Sequence, residues 1–361
     1  MKEQKDIFRL RLMAWYAQSK RPLPWKGEKN PYLIWLSEII LQQTRVEQGL
    51  PYFEKFKAYY PDVHLLANAS EDEVMKHWEG LGYYSRARNM HATAQYISQE
   101  LKGQFPNTYE GIANLKGVGP YTAAAIASFA FDLPHAVLDG NVFRVLSRYF
   151  GIDSPIDQTP GKKQFATLAQ TILDIDQPGL YNQAIMDFGA TQCTPKNPNC
   201  KACPMQDACQ AFLTTKVDQF PVKAKKMVRK ERFFHYLVFE YEHRLFLQRR
   251  ESKDIWKHLY QFPLVEHDQF LERFEILQQQ PQWPQWVSPD LIEAWTPSRP
   301  FRQELTHQRI NALFFHISLN KLPIDIPKQF LETDQENLSK FAFPKIIDLY
   351  LTDKSLYLKL L

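Results

Sequence analysis

All four cysteines of the 361-residue chain lie in one short segment. Cys193, Cys200, Cys203 and Cys209 have the spacing C-x6-C-x2-C-x5-C. Four thiolates can hold a tetrahedral zinc ion or a 4Fe-4S cluster. Structural zinc sites usually take two close cysteine pairs, whereas only Cys200 and Cys203 are close together here. The spacing therefore predicts a metal site and favours the cluster weakly over zinc.

The N-terminal segment bears on the compartment in which these cysteines function. MKEQKDIFRLRLMAWYAQ is charged and amphipathic, without the apolar core or the cleavage pattern of a secretory signal. No apolar run approaches the length of a transmembrane helix. Because disulfides need an oxidising compartment, we expect a cytoplasmic protein whose cysteines bind metal.

The sequence surroundings of two carboxylates are expected to shift their pKa values. Glu38 lies in YLIWLSEIIL, a predicted helix that is apolar on almost every face. Burial disfavours a charged carboxylate, so we expect a raised pKa, as a general acid near neutral pH requires. The alternative is a structural ion pair with Arg45 or Arg21. Asp139, in LDGNVFRVL, could cap the helix that follows, and a helix N-terminus favours the ionised form of a carboxylate.

Two glycines mark a turn that could bind an anion. Gly117 and Gly119 separate a short predicted helix, Tyr109–Leu115, from a longer apolar one. Glycines allow a tight turn whose backbone N–H groups point outward, and Pro120 suits the first turn of the second helix. A G-x-G pair alone is as often a structural turn. The extended string indicates a helix-hairpin-helix motif with DNA phosphate as its anion.

The composition supports two domains that position these groups. With 44% apolar and 14% aromatic residues the chain can build two cores. Helical spacing of apolar residues, with an N-cap at Ser70 and Glu73 three residues later, predicts an all-helical domain over 1–214. Aromatic and β-branched runs predict an α+β domain over 233–361. Two of its predicted strands, Phe233–Tyr241 and Arg244–Arg250, form a hairpin. A third predicted strand is Arg309–Ser318.

A basic interdomain linker is predicted over 215–232. Its basic residues are Lys223, Lys225, Lys226, Arg229, Lys230 and Arg232. The formal net charge of the whole chain is only +4, which does not identify a nucleic-acid binder. The patch therefore predicts either a solvated linker or a contact with phosphate.

Several strings in a fixed order resemble one known family. They are RPLPW (Arg21–Trp25), SEIILQQTRV (Ser37–Val46), WEGLGYYSRARN (Trp78–Asn89), LKGVGPYTAAAIASFAF (Leu115–Phe131) and LDGNVFRVLSR (Leu138–Arg148). Together with the cysteine spacing, they resemble the helix-hairpin-helix DNA glycosylases related to endonuclease III, and most closely the adenine-specific members. The resemblance covers nearly the whole chain.

The resemblance implies a base excision repair enzyme that acts as a monomer on double-stranded DNA. It would remove adenine paired with 8-oxoguanine or guanine, with Glu38 protonating N7 of adenine. Asp139 would stabilise the oxocarbenium ion or trap it covalently, as in glycosidases with two carboxylates, and Asn141 would organise this region. The four cysteines would hold a 4Fe-4S cluster whose loop carries Lys196 towards DNA.

Tyr121 occupies the position at which bifunctional relatives carry a lysine. That lysine forms a Schiff base and then cleaves the strand, and a phenol cannot form the imine. We therefore predict a monofunctional glycosylase in which Tyr121 makes a hydrogen bond near Glu38.

The resemblance also assigns residues that handle the flipped base. Gln43, beside Gln42, would wedge into the base stack, and Tyr83 would insert next to 8-oxoguanine. The adenine pocket would be lined by Arg21, Leu23, Trp25, Leu41, Gln183 and Met186. On the sequence alone, aromatic and aliphatic residues of this kind are more often plain core.

Residues 233–361 resemble the Nudix-like domain with which the family recognises 8-oxoguanine. The segment LERFEILQQQ lacks the carboxylate-rich helix that a catalytic Nudix enzyme needs for magnesium, so hydrolysis of nucleoside triphosphates is not expected. The family's recognition triplet Phe-Ser-His is replaced by Leu305, Thr306 and His307. Thr306 keeps the hydroxyl and His307 is retained, but Leu305 lacks the aromatic face. We expect discrimination of 8-oxoguanine from guanine to differ in strength.

Two other functions remain open at this point. One is a pyrimidine glycosylase of the endonuclease III kind, which Tyr121 and the C-terminal domain disfavour. The other is a DNA-binding iron–sulfur sensor in which Glu38 and Asp139 are structural. The joint presence of both carboxylates with the hairpin disfavours the sensor.

Overall fold

The computed structural model of the chain describes residues 2–19, 21–224 and 229–353. The chain forms two compact units. The first comprises Met1–Asn68 and Asn89–Lys226, and the second comprises Ala69–Arg88 and Met227–Leu361. The segment Ala69–Arg88, which the sequence prediction placed in the helical domain, thus groups with the C-terminal unit. Two basic residues of the predicted linker, Lys225 and Lys226, lie outside the described residues.

Helices follow one another through the first part of the chain. They are α1 (Lys2–Gln18), α2 (Pro31–Leu41), α3 (Val46–Tyr59), α4 (Val63–Asn68), α5 (Glu71–Trp78), α6 (Ser85–Gln99), α7 (Tyr109–Ala113), α8 (Pro120–Phe131), α9 (Gly140–Phe150), α10 (Thr159–Ile172), α11 (Pro178–Asp187) and α12 (Gln210–Leu213). α8 packs against α2, α7 and α11. Because α2 and α8 are apolar on nearly all sides, they form the centre of the helical unit.

Several helix boundaries lie where the capping residues and glycines of the sequence predicted them. Ser70 Oγ accepts the backbone N–H of Glu73 at 3.2 Å and begins α5. The hairpin helices α7 and α8 flank the glycine turn, although α7 ends at Ala113, two residues before the predicted end. No helix among the described residues is long and apolar enough to span a membrane.

The second unit contains a mixed sheet. Its strands are β1 (Lys230–Tyr241), β2 (Arg244–Arg249), β3 (Tyr260–Gln261), β4 (Leu264–His267), β5 (Ile292–Pro297), β6 (Phe301–Glu304), β7 (Gln308–Leu319) and β8 (Phe330–Asp334). The central strands β1 and β7 run parallel, and the other pairs are antiparallel. The predicted hairpin corresponds to β1 and β2, and the third predicted strand is β7. With α13 (Phe274–Gln278) and α14 (Lys345–Leu351), the sheet confirms the α+β class.

Strand β1 begins inside the segment predicted as linker. Arg232 is 8% exposed and forms ion pairs with Asp254 at 2.8 Å and Glu266 at 2.6 Å. Neither sequence reading of the basic patch, solvated linker or phosphate contact, therefore holds for Arg232. A buried guanidinium needs such partners because desolvation of an unpaired charge is costly.

Candidate active site and cysteine loop

A cavity of about 820 Å³ opens in the helical unit. It lies among α2, the segment before it, the first turns of α8 and α9, and α11. The sequence-predicted residues that line it are Arg21, Leu23, Trp25, Glu38, Leu41, Gln42, Gln43, Tyr121, Asp139, Asn141, Gln183 and Met186. The fold thus brings together both carboxylates and the complete predicted adenine pocket. We call this space the front cavity.

Glu38 is a buried acid of the front cavity, with 6% of its surface exposed. It is buried because it lies in the middle of α2, whose neighbouring side chains are apolar. Burial raises the pKa of Glu38 from 4.5 to about 7, a hydrogen bond with Tyr121 opposes this rise, and the charge of Asp139 adds to it. The raised pKa confirms the prediction. Of the alternative arginine partners, Arg21 pairs with Glu47 at 3.4 Å instead.

Asp139 is the N-cap of α9, as predicted. Its Oδ1 accepts the backbone N–H of Val142 at 2.7 Å, and its Oδ2 accepts Nδ2 of Asn141 at 2.8 Å. These bonds favour the carboxylate, but burial outweighs them and raises the pKa of Asp139 above its usual 3.8. The cap therefore favours the ionised form, as predicted, but desolvation has the larger effect on the pKa of Asp139.

Tyr121 lies in the first turn of α8 and shares a hydrogen bond with Glu38. Its hydroxyl is 3.8 Å from the sulfur of Met186. Burial, together with the nearby carboxylates, raises the pKa of Tyr121 well above 10.0. The phenol is therefore neutral, and its hydrogen bond with Glu38 is the contact that the sequence predicted.

Arg144 connects the Asp139 region with the cysteine loop, and sequence reasoning missed it. Its Nη2 donates to Oδ1 of Asn141 at 2.8 Å and to the carbonyl of Gly189 at 2.6 Å. Its Nε donates to the carbonyl of Cys193 at 2.8 Å. One buried guanidinium therefore holds Asn141, which in turn bonds to Asp139. The available signal was its spacing from Arg148, since residues four apart share a helix face.

The four cysteines line one cavity, which is otherwise mostly apolar. The backbone N–H of Met205 donates to Sγ of Cys203 at 3.4 Å, and Nη1 of Arg148 donates to Sγ of Cys193 at 3.5 Å. Within the described residues, no three His, Cys, Asp or Glu side chains are grouped to hold a single metal ion. Four thiols that line one cavity, two of which accept hydrogen bonds, are a donor set that fits a cluster of several iron atoms.

The two glycines of the hairpin differ in whether the fold leaves room for a side chain at their position. Gly117 has φ +82°, and a Cβ there would lie 2.8 Å from Cβ of Asn89. Gly119 caps α8 with φ −91°, and a Cβ there would meet nothing within 4 Å. The fold itself therefore requires glycine at 117 but not at 119. At Gly119 the open space leaves the backbone accessible to an external group.

Gln42 and Gln43 form the tight turn between α2 and α3. Nε2 of Gln42 donates to Oγ1 of Thr122 at 3.1 Å, so this side chain is held against α8. Gln43 is exposed and has φ +54°, the left-handed region that is costly for a residue with a side chain. The turn thus presents Gln43 at the rim of the front cavity.

Comparison with known proteins identifies the family. The chain matches the HhH-GPD superfamily of base excision DNA repair proteins over residues 36–172. The adenine DNA glycosylase of Buchnera aphidicola subsp. Baizongia pistaciae is 35% identical over 322 residues, which are 88% of either chain. The chain belongs to the adenine DNA glycosylase family. The resemblance seen in the sequence is confirmed.

Solved structures of DNA glycosylases share the fold of the helical part of this chain. A thermostable thymine-DNA glycosylase matches with a TM-score of 0.55 and 28% identity, covering 59% of this chain and 98% of that one. Endonuclease III in a non-covalent complex with DNA matches with a TM-score of 0.53 and 19% identity, covering 60% and 98%. The second likeness concerns the fold alone.

Lys26 and Asp187 form a partly buried ion pair in the wall of the front cavity, and neither was predicted as a site residue. Their side chains are 15% and 7% exposed. Lys26 directly follows the RPLPW string shared with the adenine DNA glycosylase family, which was the available signal. The ammonium group also lies 5.5 Å from the ring centre of Tyr16.

The second unit holds the predicted readers of 8-oxoguanine. Leu305, Thr306 and His307 form the turn between β6 and β7, and His307 is exposed. Tyr83 is 45% exposed, has φ +50°, and its hydroxyl shares a hydrogen bond with the hydroxyl of Thr306. The guanidinium of Arg86 lies 5.6 Å from the Tyr83 ring. The structure thus brings Tyr83 and Thr306 into contact.

Proposed function

We propose that this protein hydrolyses the N-glycosidic bond of adenine paired with 8-oxoguanine or guanine in double-stranded DNA. The observation that carries the proposal is a buried Glu38 with a pKa of about 7, bonded to Tyr121 in the cavity it shares with Asp139. A carboxyl group poised near neutral pH is suited to general acid catalysis. Membership of the adenine DNA glycosylase family supplies the substrate.

The two carboxyl groups divide the reaction between them. Glu38 gives its proton to the adenine, at N7 by the family resemblance, and the base leaves with the electrons of the N9–C1′ bond. The carboxylate of Asp139 stabilises the cationic sugar, either through space or by a transient bond to C1′. If Asp139 has bonded to C1′, that bond breaks with its electrons returning to the carboxylate as water adds its oxygen to C1′. The proton that the water loses passes to the Glu38 carboxylate, which gave its own to the base, so that the products are free adenine and an abasic site.

Asn141 and Arg144 keep Asp139 in place for this step. Asn141 donates to the carboxylate, and Arg144 holds Asn141 from the opposite side. Charge-assisted bonds of this kind orient a carboxylate without neutralising it. The arrangement favours the ionised state that burial opposes.

Tyr121 makes the enzyme monofunctional. Strand cleavage by bifunctional glycosylases needs an amine that forms a Schiff base with the sugar. Tyr121, in the first turn of α8, has no amine to offer. We expect no trapping of the wild-type protein on DNA by borohydride, and efficient trapping would contradict this assignment.

The four cysteines are proposed to hold a 4Fe-4S cluster. When bound, the cluster would supply a structural centre that fixes the loop between Cys193 and Cys200, and no step of the hydrolysis uses it. That loop exposes Lys196, which we propose contacts DNA phosphate. Arg148 would balance part of the cluster's negative charge.

DNA would be bound as duplex by a protein monomer. The hairpin turn at Gly117 and Gly119 would take a phosphate on its outward N–H groups. Gln43 would fill the space that the flipped adenine leaves, while Tyr83, Thr306 and His307 would read 8-oxoguanine. Because phosphate contacts release counterions, binding should weaken steeply with added salt.

One assay separates this function from the other two that the sequence left open. The protein is incubated with duplexes that carry adenine opposite 8-oxoguanine, thymine glycol, or no lesion, and each sample is divided before alkali treatment. Alkali-dependent cleavage of the first duplex alone supports the proposal. Cleavage of the thymine glycol duplex without alkali supports a bifunctional pyrimidine glycosylase, and no cleavage anywhere supports a sensor.

The two hairpin glycines offer a matched pair of substitutions. Gly117→Ala should lower the free energy of unfolding by about 1 to 3 kcal/mol, because alanine is strained at positive φ and meets Asn89. Gly119→Ala should leave unfolding nearly unchanged yet weaken duplex binding by about tenfold, or about 1.4 kcal/mol, because its Cβ meets only the phosphate. Thermal melting and fluorescence anisotropy measure the two effects. Equal duplex affinity of Gly119→Ala and wild type would remove the turn from the DNA interface.

A further inference from the structure

The connection between α8 and α9, residues 132–139, ends at Asp139 and contains no helix or strand. Side chains from elsewhere in the helical unit bind its backbone instead. Oε1 of Gln170 accepts the backbone N–H of Ala136 at 3.1 Å, and Nε2 of Gln170 donates to the carbonyl of Pro134 at 2.8 Å. Gln170 is exposed, so water can take over these two bonds.

Asn182 holds the next part of this connection from the inside of the helical unit. Its Oδ1 accepts the backbone N–H of Val137 at 3.2 Å, and its Nδ2 donates to the carbonyl of His135 at 2.8 Å. Nδ2 also donates to Oγ of Ser128 in α8 at 2.9 Å. Asn182 and Ser128 are 1% and 0% exposed, so bulk water does not reach these bonds. The buried amide therefore determines the course of the chain two residues before Asp139.

The position of Asn182 links this connection to the walls of the front cavity. Gln183, the next residue of α11, and Met186, one turn further, both line the cavity, whereas Asn182 does not. The bond from Asn182 to α8 reaches the helix whose first turn carries Tyr121. One amide thus joins α11 and α8 to the segment that ends at Asp139.

We propose that Asn182 is a positioning residue that sets where the carboxylate of Asp139 lies relative to the adenine pocket. The proposal rests on the proposed function, in which α11 contributes Gln183 and Met186 to the adenine pocket and Asp139 faces C1′ of the sugar. The base and the sugar are joined by the single N9–C1′ bond, so the pocket and the carboxylate must keep a fixed offset. A misplacement of about 1 Å can slow a reaction by about a hundredfold.

Two modified duplexes measure the position of the carboxylate separately from the folding of the protein. One carries a pyrrolidine ring, protonated on nitrogen, in place of the target deoxyribose, and the other carries a neutral tetrahydrofuran ring of the same shape. The first resembles the cationic sugar of the transition state, which Asp139 would stabilise. The ratio of the two dissociation constants reports that stabilisation, and it does not depend on the fraction of protein that is folded.

Asn182→Ala is expected to lower the preference for the cationic duplex by about tenfold, and to slow adenine release per active molecule by a similar factor. Affinity for the neutral duplex should stay within about twofold of wild type. Tyr32→Phe is the matched control, because it also deletes a buried hydrogen bond, from the Tyr32 hydroxyl to the carbonyl of Tyr60 at 2.6 Å. Tyr32 does not line the front cavity. This control should melt at a lower temperature yet keep the wild-type preference and rate.

Ser128→Ala is the second variant and decides the matter if Asn182→Ala does not fold. Alanine is favourable inside α8 and removes only the outer bond of the Asn182 amide, so the preference should fall by about threefold, the weight of one hydrogen bond. A folded Asn182→Ala with the wild-type preference and rate overturns the assignment. So does an unchanged preference in Ser128→Ala when Asn182→Ala is unfolded. Failure of the wild-type protein to release adenine would instead refute the proposed function, and the role of Asn182 with it.

Discussion

Glu38→Gln is expected to lower the single-turnover rate of adenine release by about 10³- to 10⁴-fold, the upper range for loss of a general acid. Glutamine keeps the shape of the side chain and its place in α2, but it cannot give a proton to the departing base. The rate is measured on a duplex with adenine opposite 8-oxoguanine. Affinity for the same duplex should change little, because Glu38 is buried away from the phosphates. Retained turnover would remove Glu38 from the acid role.

The pH dependence of the wild-type rate of adenine release should also show that Glu38 acts as an acid. Glu38 must be protonated, and its pKa is about 7, so the rate should fall about tenfold per pH unit above pH 7. Asp139 must be ionised, and its raised pKa places the acidic limb above the usual range for aspartate. A bell-shaped profile is expected for wild type. A rate that is flat from pH 7 to pH 9 would contradict the role of Glu38.

The same substitution should stabilise the folded protein at alkaline pH. The pKa of Glu38 is higher in the folded state than the ordinary 4.5, so its stabilising contribution is lost as pH rises from 4.5 through 7. Glutamine carries no charge and escapes this loss. At pH 8 the free energy of unfolding of Glu38→Gln should exceed that of wild type by up to about 3 kcal/mol. The advantage should vanish near pH 4 in denaturant melts.

Asp139→Asn is expected to lower the rate of adenine release by about 10²- to 10³-fold, the usual cost of removing one electrostatic partner of a transition state. The asparagine oxygen can still accept the backbone N–H of Val142, so α9 keeps its cap. The melting temperature should therefore stay close to that of wild type. Single-turnover kinetics and thermal melting are measured on the same preparation.

Asp139→Ala is the companion variant. It removes both the charge and the cap, so it should lose activity to a similar degree and also lose about 1 kcal/mol of stability. If Asp139→Asn keeps the wild-type rate while Asp139→Ala does not, the residue serves as a helix cap and not as a carboxylate. That result would reject the two-carboxylate mechanism.

Much of the fold was predictable because its signals are local. The N-cap at Ser70, the glycine turn before α8 and the cap at Asp139 each depend on residues within one helical turn. The β1–β2 hairpin follows from two runs rich in aromatic and β-branched residues on either side of a short polar turn. Burial of Arg232 was not predictable, because its partners Asp254 and Glu266 come from other parts of the second unit.

The residues of the site could be predicted from the sequence, but the pKa values and ion pairs of the site could be predicted only in part. Apolar neighbours within α2 sufficed to predict the raised pKa of Glu38. For Asp139 the cap and the direction of its effect were predicted, but the larger effect of burial was not, because burial depends on how the whole chain packs. Arg144 and the Lys26–Asp187 pair were missed for a related reason, since a charged residue gives no local sign of a distant partner.

The sequence by itself determined which chemical groups this protein carries and how they stand along the chain. An acid in an apolar helix, a capping aspartate, a tyrosine in place of an amine and four spaced cysteines are properties of neighbouring residues. Only the tertiary structure decided which distant groups meet: Glu38 with Tyr121, and Arg144 with the carbonyls of Gly189 and Cys193. Desolvation and Coulomb interactions act through space, so they depend on atoms that distant segments bring together when the chain folds.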